Sequence, residues 1–264
     1  MRESALCFII SILASVAGAI CGIGGGVIIK PVLDLFRVAD IGTINFLSGC
    51  TVLSMSCYSV IKSLRGGEKR VSMQVGTPLA AGAAAGGLLG KQLFSLLNGL
   101  FERPQTLGAV QAACLAAITL GTLVYTLYKS RISTRRTGSR ALCVVIGLLL
   151  GVISSFLGIG GGPINLVVLY YFFSMDTKTA AANSLYIILF SQAASLLTTL
   201  LTASVPPFPW SALLLMVAGG IGGGILGRLF NKKMDNGAVD RLFVLLMLVI
   251  IGISIYNLYR CVAV

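Results

Sequence analysis

Two glycine clusters have the residue types and spacing to do chemistry. Gly22-Ile23-Gly24-Gly25-Gly26 lies inside an apolar run, and Gly158-Ile159-Gly160-Gly161-Gly162 repeats it 136 positions later (158 − 22). A glycine costs a helix roughly 1 kcal/mol relative to alanine, so three in a row break it. Inside lipid, broken backbone survives only where protein or a wet cavity satisfies it. Glycine-rich turns and helix N-termini present free N–H groups that attract anions, and with no Cβ the backbone can approach a ligand closely. We therefore expect Gly22, Gly24, Gly25 and Gly26 to form one half of an anion site, and Gly158, Gly160, Gly161 and Gly162 the other. A nucleotide loop is the wrong reading, because no Gly-Lys-Ser/Thr follows either cluster. The clusters also read as small-xxx-small packing patterns, but packing does not need three consecutive glycines. The rows Gly82/Gly86/Gly90 and Gly219/Gly223/Gly227 are read as packing.

Polar residues at membrane depth are the next candidates. Asn45 and Asn183 occupy corresponding places after the two clusters and read equally as ligand-orienting groups or as cap and interhelical hydrogen-bond residues. Thr43, Ser48 and Thr51 fall near Asn45, Ser184 and Gln192 near Asn183, and Asn165 just after the second cluster. Lys30 and Asp34 are four apart, so Lys30 either pairs with Asp34, snorkels, or draws an anion toward the site. No other acid lies in an apolar run and the chain has no His. A buried proton relay, an acid–base pair and a metal set therefore have no support, and we expect neither an enzyme nor a bound cofactor.

The elements that must position these residues are membrane helices. The chain of 264 residues is 56% hydrophobic and only 11% charged, where soluble domains carry about 25% charge. Its net charge of +12 comes from bases clustered between apolar segments. These are topology signals rather than a nucleic-acid surface. Seven cysteines at irregular spacing, mostly inside apolar runs, read as free, packed residues. The N-terminus resembles a signal peptide, but the same pattern recurs at 141–157, so residues 5–21 are expected to belong to the fold.

Apolar segments run at about 5–37, 44–61, 75–98, 106–128, 141–173, 180–201, 210–230 and 241–259. A crossing needs about 20 residues, so the first and fifth are too long for one, and these carry the clusters. The landmarks recur in order: the cluster, the Asn, the glycine row closed by Lys91 or Arg228, then Gly121, Tyr125 and Tyr128 against Gly252, Tyr256 and Tyr259. That order gives two repeats, 1–128 and 141–264, joined by a basic linker, 129–140. The loop 62–70 holds Lys62, Arg65, Lys69 and Arg70, whereas its counterpart 202–209 holds no base. Positive-inside bias puts them on opposite faces. The expected fold is thus an all-α polytopic membrane protein of two inverted repeats, each a Gly-broken helical hairpin plus three transmembrane helices. Whether the hairpins span fully or are re-entrant stays open.

At these residues the sequence resembles the sulfite exporter TauE/SafE-like family of membrane permeases. The resemblance rests on Gly22-Ile-Gly-Gly-Gly with Pro31, Gly158-Ile-Gly-Gly-Gly-Pro163, and the elements Ile44-Asn45-Phe46-Leu47-Ser48 and Ala181-Ala182-Asn183-Ser184. It implies a multi-pass cell (inner) membrane protein moving a small sulfur-containing anion such as sulfite or an organosulfonate. Such a transporter would use alternating access around a midplane site between the two turns, with a proton or sodium ion as candidate coupling ion. A passive anion channel of the same fold, or a cysteine-dependent membrane assembly factor, remains as an alternative. Glycine-lined faces permit a homodimer. The geometric expectation is that the two tips meet near the midplane, with Asn45 and Asn183 close by.

Overall fold

A computed structural model describes residues 2–65, 71–100 and 104–262; Lys69 and Arg70 lie outside the described residues. Among the described residues the chain forms ten α-helices and one 3-10 turn. The first half holds α1 (Arg2–Cys21), α2 (Gly26–Phe36), α3 (Ile41–Arg65), α4 (Met73–Leu100) and α5 (Pro104–Tyr128). The second holds α6 (Arg140–Leu157), α7 (Pro163–Phe173), α8 (Thr177–Leu201), α9 (Trp210–Lys233) and α10 (Asn236–Val262). Seven of them, α1, α3, α5, α6, α8, α9 and α10, are long and apolar enough to cross a membrane. The chain is an all-α, multi-pass membrane protein.

The breaks have local causes. Pro163 opens α7, where its missing N–H is not needed. Helices α2 and α7 each have 11 residues and end on a left-handed residue, Arg37 or Ser174. At 1.5 Å per residue such a helix is about 16 Å long, half of a hydrocarbon core of about 30 Å. The incoming arms α1 and α6 have 20 and 18 residues. Each hairpin thus has a full-length arm and a half-length return.

The helices exchange partners between halves. α1 packs on α9 and α4 on α6; α3 meets α8, and α5 meets α10. The main cross-half pairings have counterparts five helices away: α3 on α9 matches α8 on α4, and α2 on α10 matches α7 on α5. The glycine rows make the closest of these contacts. A Cβ at Gly82, Gly86 or Gly90 would lie 2.1, 2.1 or 2.4 Å from the carbonyl oxygens of Val144, Leu148 and Val152. Gly223 and Gly227 press likewise on the carbonyls of Ile12 and Val16.

These contacts also give directions. Residue numbers rise together between α4 and α6 and between α1 and α9. They rise together again where Gly76 and Gly87 of α4 meet Asn183 and Ser191 of α8, and where Gly220 and Gly224 of α9 meet Thr51 and Met55 of α3. So α1 and α3 run the same way, as do α6 and α8. Each glycine-broken segment therefore returns to the side it started from. Gly49 of α3 lies against Gln192 and Leu196 of α8, while Val52 and Ile188 flank Gly24. The numbers here run oppositely, so α3 and α8 are antiparallel.

The outer surface of the bundle suits lipid. Leu13, Leu149, Leu214 and Leu245 are exposed, and exposed Trp210 stacks near Phe208 at one end, where aromatic rings favour the interface.

Candidate functional site

The two glycine turns touch. A Cβ on Gly26 would sit 2.3 Å from the Ile159 carbonyl oxygen, and one on Gly24 would be 3.8 Å from that of Gly160. Only a residue without a side chain permits the first approach. Gly24 and Gly160 are mates with φ of 75° or just below (73° and 75°), a left-handed conformation in which glycine carries no steric penalty. Val52 and Ile188 lie against them; these are within one residue of the centres of the 25-residue helices α3 and α8. The turns therefore meet at half-height in the spanning helices.

Their backbone donors are unusual. The N–H groups of Gly22 and Gly158 bond to Gly18 and Ser155 carbonyls. Among the described residues, those of Gly24, Gly25, Gly160, Gly161 and Gly162 meet no acceptor, although all five glycines are buried. Buried N–H groups are almost always paired. Polar side chains gather beside them. A Cβ at Gly25 would lie 3.0 Å from Ser15 Oγ, one at Gly160 2.5 Å from Gln192 Nε2, and one at Gly161 3.3 Å from Asn165 Nδ2. The hydroxyl of Ser15 and the Oδ1 atoms of Asn45 and Asn165 are buried without partners.

The other expected residues divide. Asn45 reaches the second turn, its Oδ1 falling 2.4 Å from where a Gly158 Cβ would be. Asn183 is tied elsewhere: its Oδ1 accepts from the Ser72 N–H at 3.0 Å and its Nδ2 donates to the Thr179 carbonyl at 2.8 Å. These bonds hold the start of α4, whereas Asn45 lies against the second turn. Neither caps its own helix, since α3 begins at Ile41 and the α8 cap is Asp176. Thr43 donates to the Pro207 carbonyl at 3.1 Å, near the loop 202–209. Ser48 and Ser184 are fully buried with unpartnered hydroxyls.

Lys30 neither snorkels nor hydrogen-bonds to Asp34. Only 3% exposed, its ammonium donates to Gln111 Oε1 at 2.5 Å and to the Leu157 carbonyl at 2.8 Å. Leu157 is the last residue of α6, so Lys30 ties the first hairpin to the second turn and satisfies a helix-end carbonyl. It also lines a cavity of about 560 Å³ that includes Asp34, Gln111, Ser254 and Arg260. Thr43, Pro207 and Pro209 place that cavity at the end of the bundle that carries the loop 202–209.

The opposite end is different. A space of only about 30 Å³ is lined by Leu166, Thr126 and Phe243, the repeat counterparts of Lys30, Asn257 and Ala112 in the large cavity. Lys129 and Asp240 close it with an ion pair of 2.5 Å, and Thr177 donates to the same carboxylate at 2.9 Å. Tyr125 meets Tyr170 and Tyr171 edge-on, with both ring pairs 6.3 Å apart. Sequence reasoning missed Ser15, Gln111 and the Lys129–Asp240 pair. Their only signals were polarity within or beside apolar runs, which does not say which helix lies opposite.

No curated protein and no solved structure matches the chain. The family model of the sulfite exporter TauE/SafE does, over residues 7–255. That match covers nearly the whole of the 264-residue chain and agrees with the polytopic helical fold. The chain therefore belongs to the sulfite exporter TauE/SafE family, a family of membrane transporters and not of enzymes.

Proposed function

We propose that this protein is a secondary transporter that carries a small sulfur-containing anion, such as sulfite or an organosulfonate, by alternating access. The anion binds at the meeting point of the two glycine turns. The observation that carries this reading is the set of unpaired, buried N–H groups at Gly24, Gly25, Gly160, Gly161 and Gly162. Such donors are matched to oxyanion oxygens. Asn45, Asn165, Gln192 and Ser15 orient the bound group from the sides.

Three features support the rest. The antiparallel packing of α3 on its counterpart α8 is what an inverted repeat requires. Lys62, Arg65, Lys129, Arg140, Lys232 and Lys233 gather at the helix ends opposite the loop 202–209, which favours that end as the cytoplasmic one in a cell membrane. Third, equivalent spaces in the two halves differ: about 560 Å³ at the loop end and about 30 Å³ at the basic end. Open on one face and sealed by Lys129–Asp240 on the other is the pattern of a carrier in its outward-facing state, not of an open pore.

The test is flux in proteoliposomes. Wild-type protein should show saturable uptake of sulfite or methanesulfonate that responds to an imposed proton or sodium gradient. Asn165→Asp keeps the shape but replaces a donor by a negative charge, and should cut uptake at least about tenfold. Wild-type rates from Asn165→Asp would exclude the glycine-turn site, and linear, unsaturable flux would replace the carrier by a channel.

A further inference from the structure

The 560 Å³ cavity has a charge problem at its inner end. The Lys30 ammonium has three donors. Two are taken by neutral carbonyl oxygens, of Gln111 and Leu157, and neither neutralises the charge. Gln111 is locked in that orientation because its Nε2 donates to the Phe156 carbonyl at 2.6 Å. Asp34, one turn along α2, lines the cavity but makes no hydrogen bond to Lys30. Asp34 attracts the ammonium from one turn away without taking a hydrogen bond, so the third donor stays unmade, which is costly for a buried charged group. Ser254 supplies a second open group: it is 1% exposed, its hydroxyl has no partner, and it lines the same cavity.

The lining carries three cations, Lys30, Arg37 and Arg260, against two carboxylates, Asp34 and Asp40. One positive charge is in excess. Arg37 is exposed and Arg260 half-buried, donating to the Leu35 carbonyl at 2.8 Å, so Lys30 is the deepest of the three cations and the one with an open donor inside the cavity.

We propose that this cavity is a loading site for a monovalent oxyanion, a sulfonate or a singly charged sulfite. The anion bonds to the third Lys30 donor and to the Ser254 hydroxyl, one step before the glycine turns. Asp34 sets the valence, because its carboxylate repels the second charge of a dianion. This rests on the transport reading above and deepens it. Lys30 is reached by no counterpart on the other side, where Leu166 stands in its place, so the loading site belongs to one face only.

The experiment is anion binding to the purified full chain in detergent, by calorimetry, with methanesulfonate as monoanion and sulfate as dianion. Wild type should prefer methanesulfonate by at least about tenfold, Lys30→Gln should lose about tenfold in affinity, and Lys30→Arg should keep most of it. Ser254→Ala should lose severalfold. Asp34→Asn is the decisive variant, because a misfolded protein cannot gain affinity. It should bind sulfate about tenfold more tightly and erase the preference. An unchanged preference in Asp34→Asn together with wild-type binding by Ser254→Ala overturns the site, as does absence of any methanesulfonate binding to wild type. The transport reading fails separately: if these binding effects hold but wild-type proteoliposomes take up no sulfur anion, the site stands without the transporter.

Discussion

Replacing Asp240 by Asn should unlatch the basic end of the protein. The carboxylate there accepts from Lys129 at 2.5 Å and from Thr177 at 2.9 Å, with side chains 24% and 27% exposed for the ion pair. A fully exposed pair would contribute 1 kcal/mol or less. This one is three-quarters buried, and hydrogen bonds to charged groups contribute about 1.5–3 kcal/mol. Taking about 2 kcal/mol for the loss, the ratio of closed to open should fall about thirtyfold, since each 1.4 kcal/mol is a factor of ten. The assay is thiol labelling of Thr126→Cys, which lines the small space behind the pair, in a cysteine-free background with a membrane-impermeant maleimide applied from the basic side. Asp240→Asn should raise the labelling rate toward that thirtyfold limit. The charge swap Lys129→Asp with Asp240→Lys should return it part of the way, because the Thr177 bond is not restored. If labelling is unchanged in Asp240→Asn, the pair is not what keeps this end shut, and the carrier reading loses its inner latch.

Other predictions follow from the packing. Gly86→Ala places a methyl 2.1 Å from the Leu148 carbonyl oxygen, so α4 and α6 must separate; thermal unfolding should show a loss of about 1–3 kcal/mol. Gly121→Ala and Gly252→Ala meet nothing within 4 Å, and should instead stabilise the protein by up to about 1 kcal/mol, measurable in the same melts. Removing all seven cysteines should leave transport intact. Cys7, Cys21 and Cys143 are buried and none of the seven forms a disulfide, so they act as small packed residues; loss of flux with retained folding would favour a thiol mechanism.

Much of the site was legible because its residues obey local rules. Consecutive glycines cannot propagate a helix, so the two breaks followed from Gly24-Gly25-Gly26 and Gly160-Gly161-Gly162 alone. Pro163 marked the start of α7 for an equally local reason, its missing N–H. Asn183 shows where that logic stops. Repeat position made it the equal of Asn45, but the loop before α4 brings Ser72 within 3.0 Å of it, and that donor claims the side chain. Lys30 is the same lesson in reverse. Spacing offered Asp34 as a partner, whereas the chain crossing supplied Gln111 and Leu157 from 81 and 127 residues away.

The sequence by itself determined the membrane setting, the two glycine breaks, the duplicated order of elements and the family, because hydropathy, backbone freedom and motif spacing are properties of short stretches. Only the tertiary structure decided which halves interlock. It set α1 on α9 and α4 on α6, left the buried N–H groups of Gly24, Gly25, Gly160, Gly161 and Gly162 without an acceptor among the described residues, and made one of two equivalent spaces large and the other small. Those outcomes depend on contacts between residues in opposite halves of the chain, and no local pattern encodes which distant surface will arrive.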